Sequence, residues 1–467
     1  MIREYPQTPC PNASGRPEFF SLFLIHDTRA TAAAMNNRTI GIGLLGMGIV
    51  GAEVARNLLQ RSEHFRQQVG QPLALRSVAV RDLGRQRDPA LPSGMSSTDP
   101  FAVVANPDVQ IVVELMGGLS PAYECIRAAL SQGKHVVTAN KEVIATHGQE
   151  LIALAEEHEA HLLYEASVGG GIPIIGPLRK DLLANQVSSI HAIINGTTNY
   201  ILTRMSQEGA SFQEALRQAQ QLGYAEANPS NDVEGTDAAY KLAILSSLAF
   251  HHPVTGNDVF REGISRLSAV DFQYAKELGY AIKLLAIARR EDSALSLRVH
   301  PCLLPDDQLL AKVDGVFNAI EVEGDLVGKV VFHGQGAGPK PTASAVLGDI
   351  LEAARSIAAG RKPAKAGGLN DGLTVLPIEE LVTQYYFRVT VADQAGVLAK
   401  IATVLGDLNI SIASVIQKAS DAALQTAELV IMTHPAKEAH VRQAIRQMEA
   451  LDMVREVGNV IRVEQRG

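Results

Sequence analysis

At Thr39-Ile40-Gly41-Ile42-Gly43-Leu44-Leu45-Gly46-Met47-Gly48-Ile49-Val50-Gly51-Ala52-Glu53-Val54-Ala55-Arg56-Asn57-Leu58-Leu59 the character of the chain changes. A short apolar run predicts a strand over Thr39–Leu45. A helical pattern then extends to about Arg61, with Val54 and Leu58, and Ala55 and Leu59, four residues apart on one apolar face. Between them Gly46, Gly48 and Gly51 spell G-x-G-x-x-G. The first glycine allows a tight turn, the second close backbone approach to a pyrophosphate, and the third close helix–strand packing. The helix N-terminus then offers unpaired N–H groups and a positive dipole end to phosphates. Glycine-rich turns also occur without a ligand, so the strand–turn–helix context carries the reading of a nucleotide site at Gly46, Met47, Gly48, Ile49, Val50 and Gly51.

Working outward, Leu75–Val80, Ile111–Leu115 and His135–Thr138 read as further strands, and Ala122–Leu130 as a helix closed by Gly133. Strands alternating with helices mean βαβ units and a parallel sheet. The second strand ends at Val80-Arg81-Asp82. A carboxylate there would bind a ribose 2′-hydroxyl and favour NAD(H), whereas an arginine would pair with a 2′-phosphate and favour NADP(H). With Arg85 and Arg87 nearby, Arg81 tips the expectation to NADP(H), against the blander reading of a solvated basic loop.

The 467 residues allow about three domains. Hydrophobic residues make up 46% and charged residues 20%, enough for a large core. A net charge of −8 argues against nucleic acid as a partner. No apolar segment reaches the roughly 18 residues that cross a bilayer. Cys10, Cys125 and Cys302 are too scattered for a disulfide framework or a zinc site, which points to a reducing, cytoplasmic setting. Phe19–Ile25 faintly imitates a signal peptide, but Glu18 precedes it and Asp27 and Arg29 follow. Residues 1–36 therefore read as a disordered extension, with Met35 a plausible natural start.

The expected architecture is α/β throughout: a Rossmann-like nucleotide domain over 37–163, an α+β catalytic and dimerisation domain over 164–360, and a linker over 361–384. The catalytic domain closes with a helix over Thr342–Ala358, which ends at Gly360 and is expected to pack back on the nucleotide domain. Over 385–467 the order is strand Tyr385–Val391, helix Val397–Leu408, strands Ile410–Lys418 and Leu424–Met432, helix Ala436–Ala450 and strand Val454–Val463. That is a ferredoxin-like βαββαβ unit.

The chemistry concentrates in Gly223-Tyr224-Ala225-Glu226-Ala227-Asn228-Pro229-Ser230-Asn231-Asp232-Val233-Glu234-Gly235-Thr236-Asp237-Ala238-Ala239-Tyr240-Lys241. Asn228-Pro229 and Gly235 force turns, which puts Glu226 and Asp232 on a loop. Thr236–Phe250 is helical, with Thr236 or Asp237 suited to its start. Asp237 and Lys241, four apart, share one face. An ordinary surface ion pair would look the same and contribute little, but the turn-rich loop also feeds carboxylates toward that face.

This segment resembles the signature of the homoserine dehydrogenase family, and the likeness runs from about Thr39 through Val137-Thr138-Ala139-Asn140-Lys141, Glu165-Ala166-Ser167-Val168-Gly169-Gly170-Gly171-Ile172-Pro173, Asn195-Gly196-Thr197-Thr198-Asn199-Tyr200 and Gly334-Gln335-Gly336-Ala337-Gly338. The resemblance implies NAD(P)H-dependent interconversion of L-aspartate 4-semialdehyde and L-homoserine, in threonine, methionine and isoleucine biosynthesis. It implies Lys241 as acid–base residue and Lys141 beside substrate and nicotinamide. Glu226 and Asp237 become substrate-contacting carboxylates, Asp232 a helper, and Gly223 and Gly338 cofactor-side glycines. Hydride transfer to an aldehyde leaves an alkoxide that needs a proton and nearby positive charge. Free lysine titrates near 10.4. A second lysine and burial push that value down while Asp237 pushes it up, and closure around substrate is expected to let the lysine–lysine repulsion dominate.

From the residues alone Glu165–Pro173 reads as a structural glycine turn. The resemblance makes Glu165 with the carbonyls of Val168, Gly170 and Ile172 a structural monovalent-cation site, Na⁺ being the expected ion. Tyr385–Val463 resembles an ACT domain. Asp393-Gln394-Ala395-Gly396 would receive an amino-acid effector, L-threonine, and Asn409-Ile410 opens the strand by which such modules pair. The alternative is a degenerate module that only aids assembly as a homodimer or homotetramer.

Two other functions compete. A phosphorylating semialdehyde dehydrogenase needs an activated cysteine, yet Cys125 reads as core and Cys302, after His300-Pro301, has no catalytic surroundings. A non-catalytic nucleotide and amino-acid sensor would not need the set Glu226, Asp237, Lys241 and Lys141. His251-His252-Pro253 reads as a helix C-cap rather than a metal site.

Overall fold

The computed structural model describes residues 38–364, 372–421 and 425–464. The expected N-terminal extension and part of the expected linker lie outside the described residues. The first sheet comprises β1 (Ile40–Leu45), β2 (Leu73–Ala79), β3 (Ser96–Ser97), β4 (Ile111–Glu114), β5 (His135–Thr138) and β6 (Leu162–Leu163). Its order is β3-β2-β1-β4-β5-β6, and every pairing is parallel. Every residue of β1 and β4 is buried, as a parallel sheet covered on both faces requires. The order reverses between β1 and β4, and ligands of such sheets bind in the crevice at that switch point.

The helices that position the site are α1 (Ile49–Gln60), α2 (Lys141–Glu157), α3 (Ile175–Arg179), α4 (Gly196–Glu208), α5 (Thr236–Phe250), α6 (Pro339–Ala359), α7 (Val397–Asp407) and α8 (Glu438–Glu449). Helix α6, far along the chain, sends Ala343, Val346, Ile350 and Ala353 into the same core as Ile42, Leu44, Val54 and Leu58. The nucleotide sheet is therefore completed by the last helix before the C-terminal unit. Gly360, at φ +60°, ends it.

The second sheet contains β7 (Val187–Ile193), β8 (Phe260–Arg261), β9 (Tyr280–Glu291), β10 (Ala294–Pro305), β11 (Phe317–Gly324), β12 (Gly328–Gln335), β13 (Thr374–Val375), β14 (Val382–Ala392), β15 (Ile412–Asp421), β16 (Thr426–Thr433), β17 (Ala436–Lys437) and β18 (Val454–Val463). Its main path is β12-β11-β7-β9-β10-β18-β14-β16-β15. The last four strands with α7 and α8 form the ferredoxin-like unit.

Three details differ from the sequence reading. The C-terminal unit is continuous with the catalytic sheet, because β18 pairs in parallel with β10 at Cys302↔Arg462 and Leu303↔Val463. Within the expected linker, Thr374–Val375 pairs with Ala294 and Leu295 of β10. Ala436–Lys437 pairs with β14 instead of opening α8. Pro301 is tolerated inside β10 because the outer partners, β8 at Arg298–Val299 and β18 from Cys302, leave its position without a neighbour on that side.

Candidate active site

The glycine turn is built as its sequence demands. Gly46 has φ +95°, and a Cβ there would stand 2.6 Å from the Leu115 carbonyl oxygen. A Cβ on Gly51 would stand 2.1 Å from the Gly46 carbonyl oxygen, so only glycine lets α1 start this close to β1. Gly48 caps α1 with no side-chain acceptor, and no acidic residue occupies the first turn. The amide end of α1 is thus free to take an anion. Met47 is buried, Val50 half-buried and Ile49 exposed. Arg81 is exposed and forms no ion pair with a described residue, whereas Asp82 Oδ1 accepts the Gly84 N–H at 2.8 Å.

The opposite wall of this crevice is held by Glu114, a residue the sequence reading passed over as one more residue of a strand. It is wholly buried. Its Oε1 accepts the N–H groups of Met116 (2.7 Å) and Gly117 (3.2 Å), and Oε2 accepts the Thr138 hydroxyl at 2.6 Å. Burial raises its pKa and outweighs these bonds. Thr138 Oγ1 in turn accepts the Asn140 N–H, and Asn140 caps α2 through Val143 N–H. That chain of bonds fixes where the next residue, Lys141, begins its helix.

Lys141 carries a cation at a helix N-terminus, where the dipole disfavours it. Its compensation is Asp237: Lys141 Nζ pairs with Asp237 Oδ1, while Lys241 Nζ pairs with Oδ2 at 2.7 Å. One nearly buried carboxylate, its side chain 5% exposed, holds both ammonium groups. Lys241 Nζ also donates to the Ile194 carbonyl at 2.8 Å. Burial pushes the Asp237 carboxyl up, but Lys241 and Lys141 together hold it well below the usual carboxylate range. Burial likewise pushes Lys141 down, yet Asp237, with Asp232 and Glu142 behind it, leaves it raised.

Asn195 belongs to this cluster and was not singled out as functional, although it stands in a quoted motif. It caps α4 through Thr198 N–H, and its Nδ2 donates to Asp237 Oδ2 (2.9 Å) and Asp232 Oδ1 (2.7 Å). An Asn directly before Gly196 and a helix was the available signal. Asp232 lies not on a loop but in a one-turn helix, Ser230–Val233. Helix α5 is capped by Gly235 at φ +80°, leaving Asp237 free for the lysines instead of a capping role. Glu226 is not brought into this cluster. It is exposed, and its carboxylate has no hydrogen bond or ion pair with a described residue. Gly223 and Gly338 both adopt positive φ, +76° and +119°, and Gly338 caps α6 without a side-chain acceptor.

Glu165 lies at the start of the glycine turn. Its carboxylate turns to the amides of Ile174 (2.6 Å), Ile175 (2.9 Å) and Gly176 (2.6 Å), capping α3, because the first turn of a short buried helix needs an acceptor. The carbonyls of Val168, Gly170 and Ile172, all buried, accept no hydrogen bond from a described residue. The Glu165 N–H donates to Asp349 Oδ2 at 2.9 Å, and burial pushes that carboxyl to about 8. The glycine turn packs on the second glycine motif: Gly171 N–H donates to the Gln335 carbonyl, and a Cβ on Gly170 would stand 2.4 Å from the Gly336 oxygen.

In the C-terminal unit, Asp393 is exposed, Gly396 caps α7 at φ +91° with no side-chain acceptor, and Asn409 is exposed at φ +56°. Neither described cysteine suits a nucleophile: burial pushes Cys125 up to about 11 and Cys302 well above the ordinary thiol value. His251 is the left-handed C-cap of α5.

Comparison with known proteins identifies the family. The family described as "Homoserine dehydrogenase" matches residues 173–351, its NAD binding domain matches 46–165, and the ACT domain matches 385–452. The chain is 44% identical over 437 residues to the homoserine dehydrogenase of Neisseria gonorrhoeae, covering 91% of this chain and 99% of that protein. It is 42% identical over 449 residues to that of Corynebacterium glutamicum, covering 94% and 100%. The solved homoserine dehydrogenase from Thiobacillus denitrificans superposes with a TM-score of 0.86 at 44% identity, over 92% of this chain and 99% of that one. A hyperthermophilic archaeal homoserine dehydrogenase solved in complex with NADPH has a TM-score of 0.57 at 29% identity, over 68% and 98%. With its parallel nucleotide sheet, its catalytic sheet and its ACT unit, the chain belongs to the homoserine dehydrogenase family of oxidoreductases.

Proposed function

We propose that the chain reduces the C4 aldehyde of L-aspartate 4-semialdehyde to L-homoserine, reversibly, with Lys241 as proton donor and Lys141 as a fixed cation. The observation that carries this division is the shared carboxylate, Asp237, with one ammonium on each oxygen. A bound nicotinamide supplies the hydride that forms the new C–H bond. The carbonyl oxygen then needs one proton. Of the three N–H bonds of Lys241, one goes to Asp237 and one to Ile194, which leaves the third for that oxygen. Lys141 is raised and so stays charged near neutral pH, where it stabilises the developing alkoxide. In the reverse direction Lys241 accepts the alcohol proton. Glu226, exposed on its loop, and Asp237 are the carboxylates suited to hold the substrate ammonium. Such orientation can supply up to about 7–11 kcal/mol of a barrier.

Gly46 to Gly51, Gly223 and Gly338 would supply the backbone that holds the cofactor. NADP(H) is favoured over NAD(H) because Arg81 has no acidic partner among the described residues while Asp82 is engaged in its own turn, and because the archaeal relative was solved with NADPH. Val168, Gly170 and Ile172 offer buried carbonyls that want a partner, with Glu165 adding negative charge. This is a hard-oxygen set that fits a monovalent cation such as Na⁺ in a structural role. Asp393, Gly396 and Asn409 are the suggested contacts for L-threonine as a feedback effector. A homodimer or homotetramer is favoured by the sheet's two end strands, β12 and β15, which have no further strand beside them among the described residues. Unpaired Cys125 and Cys302 suit the cytoplasm, and no helix among the described residues is long and apolar enough to cross a membrane.

Steady-state NAD(P)H oxidation with aspartate 4-semialdehyde, with both cofactors and with and without L-threonine, tests the reading. Faster turnover with NADPH and inhibition by threonine are expected. Equal rates with NADH and no response to threonine would contradict both assignments.

A further inference from the structure

The junction between the catalytic sheet and the C-terminal unit contains a cavity of about 270 Å³, small for a dinucleotide but sufficient for a metabolite of a few heavy atoms. Arg289, Glu291, Arg298, Glu380, Gln384 and Glu464 are among the residues that line it. Both signs of charge are present. Arg298, 3% exposed in its side chain, gives Nη2 to Glu464 Oε2 at 3.0 Å and Nη1 to Ser296, yet its buried Nε has no partner. Arg289 Nη2 reaches Glu464 Oε1 at 3.0 Å. Buried guanidinium N–H groups are rarely left unpaired without a reason. Two residues along the strand from Arg289, Glu291 is exposed, and its carboxylate has no ion-pair partner among the described residues, while Glu380 pairs with Lys437 at 2.7 Å.

We propose that this cavity is a binding site for a free α-amino acid, the carboxylate taken by Arg298 and Arg289 and the ammonium by Glu291. Guanidinium forks match carboxylates in geometry, and an acid on the same wall matches the other end of a zwitterion. The site is distinct from the helix α7 loop at Asp393–Gly396, and it deepens the regulatory reading given above, on which it rests. Its position suits an effector. Glu464 Oε1 also lies 3.1 Å from His191 Nε2, and His191 is on β7, three residues before the Ile194 carbonyl that holds Lys241.

Calorimetric titration of the full chain with L-threonine as probe, and acetate as the carboxylate-only control, tests this. In the wild type, threonine is expected to bind more tightly than acetate. Arg289→Gln should weaken threonine by about tenfold or more, and Glu291→Gln, at an exposed position that tolerates substitution, should weaken threonine but not acetate. Asp393→Ala separates the two sites. Two threonines per protomer, one lost with R289Q and the other with D393A, support both. One threonine, lost with R289Q alone, supports the cavity and removes the loop site. Threonine binding that survives both R289Q and E291Q, or no threonine binding at all, overturns the proposal.

Discussion

Asp237 sets the electrostatics of the site. Without its charge the two ammonium groups would face one another beside a helix N-terminus, and burial would pull Lys141 down instead of leaving it raised. Asp237→Asn is therefore expected to move the alkaline limb of the kcat/KM profile to lower pH, since Lys141, now raised by that carboxylate, would lose its proton earlier. It should also lower stability at neutral pH by about 3–5 kcal/mol, the cost of breaking a buried pair. A profile unchanged in position would show that Asp237 does not control the lysines. At this scale the sequence was informative where spacing was local: Asp237 and Lys241 share a helical face, and G-x-G-x-x-G needs its glycines. It was silent where partners are far apart in the chain. Glu114 looks like one more strand residue until Met116, Gly117 and Thr138 close around it, and no local pattern announces that the Glu165 carboxylate caps α3.

Among the elements, β5 carries a pH dependence that no motif announced. His135 accepts the His161 N–H at 2.8 Å through Nδ1, and burial, helped by the charge His161 can carry, holds its pKa near 4. The unfolded chain takes up this proton first as pH falls. The stability is present above about 6.5, declines from there towards pH 4, and levels off below it, a change of up to about 3 kcal/mol. Chemical denaturation at pH 7 and pH 5 should reveal the loss, and His135→Asn, which keeps an acceptor but cannot titrate in this range, should reduce it. Equal pH sensitivity in the variant would place the effect elsewhere. Most strands and helices were legible because their apolar periodicity is strong. Ala436–Lys437 was misread because pairing with β14 outcompetes helix extension.

For the whole molecule, the C-terminal unit is joined to the catalytic sheet and is no tethered appendage. Arg462 pairs with Glu438 and Glu262, and Glu464 pairs with Arg298 and Arg289. Removing residues from 382 onward would uncover β10 and strand the buried Arg298. The truncated chain is expected to lose several °C in Tm and to self-associate, rather than to become a threonine-insensitive but otherwise intact enzyme. Light scattering and thermal melting would check this, and an unchanged Tm would contradict it. The sequence indicated the module but not the join, because two residue pairs between β10 and β18 leave no periodic trace.

The proton-delivery role of Lys241 is the centre of the account, and turnover of Lys241→Ala at neutral pH, with NADPH affinity measured alongside, tests it most directly. A loss of about 10²–10⁴ in kcat with cofactor binding retained is the predicted result. Near-normal turnover would contradict it.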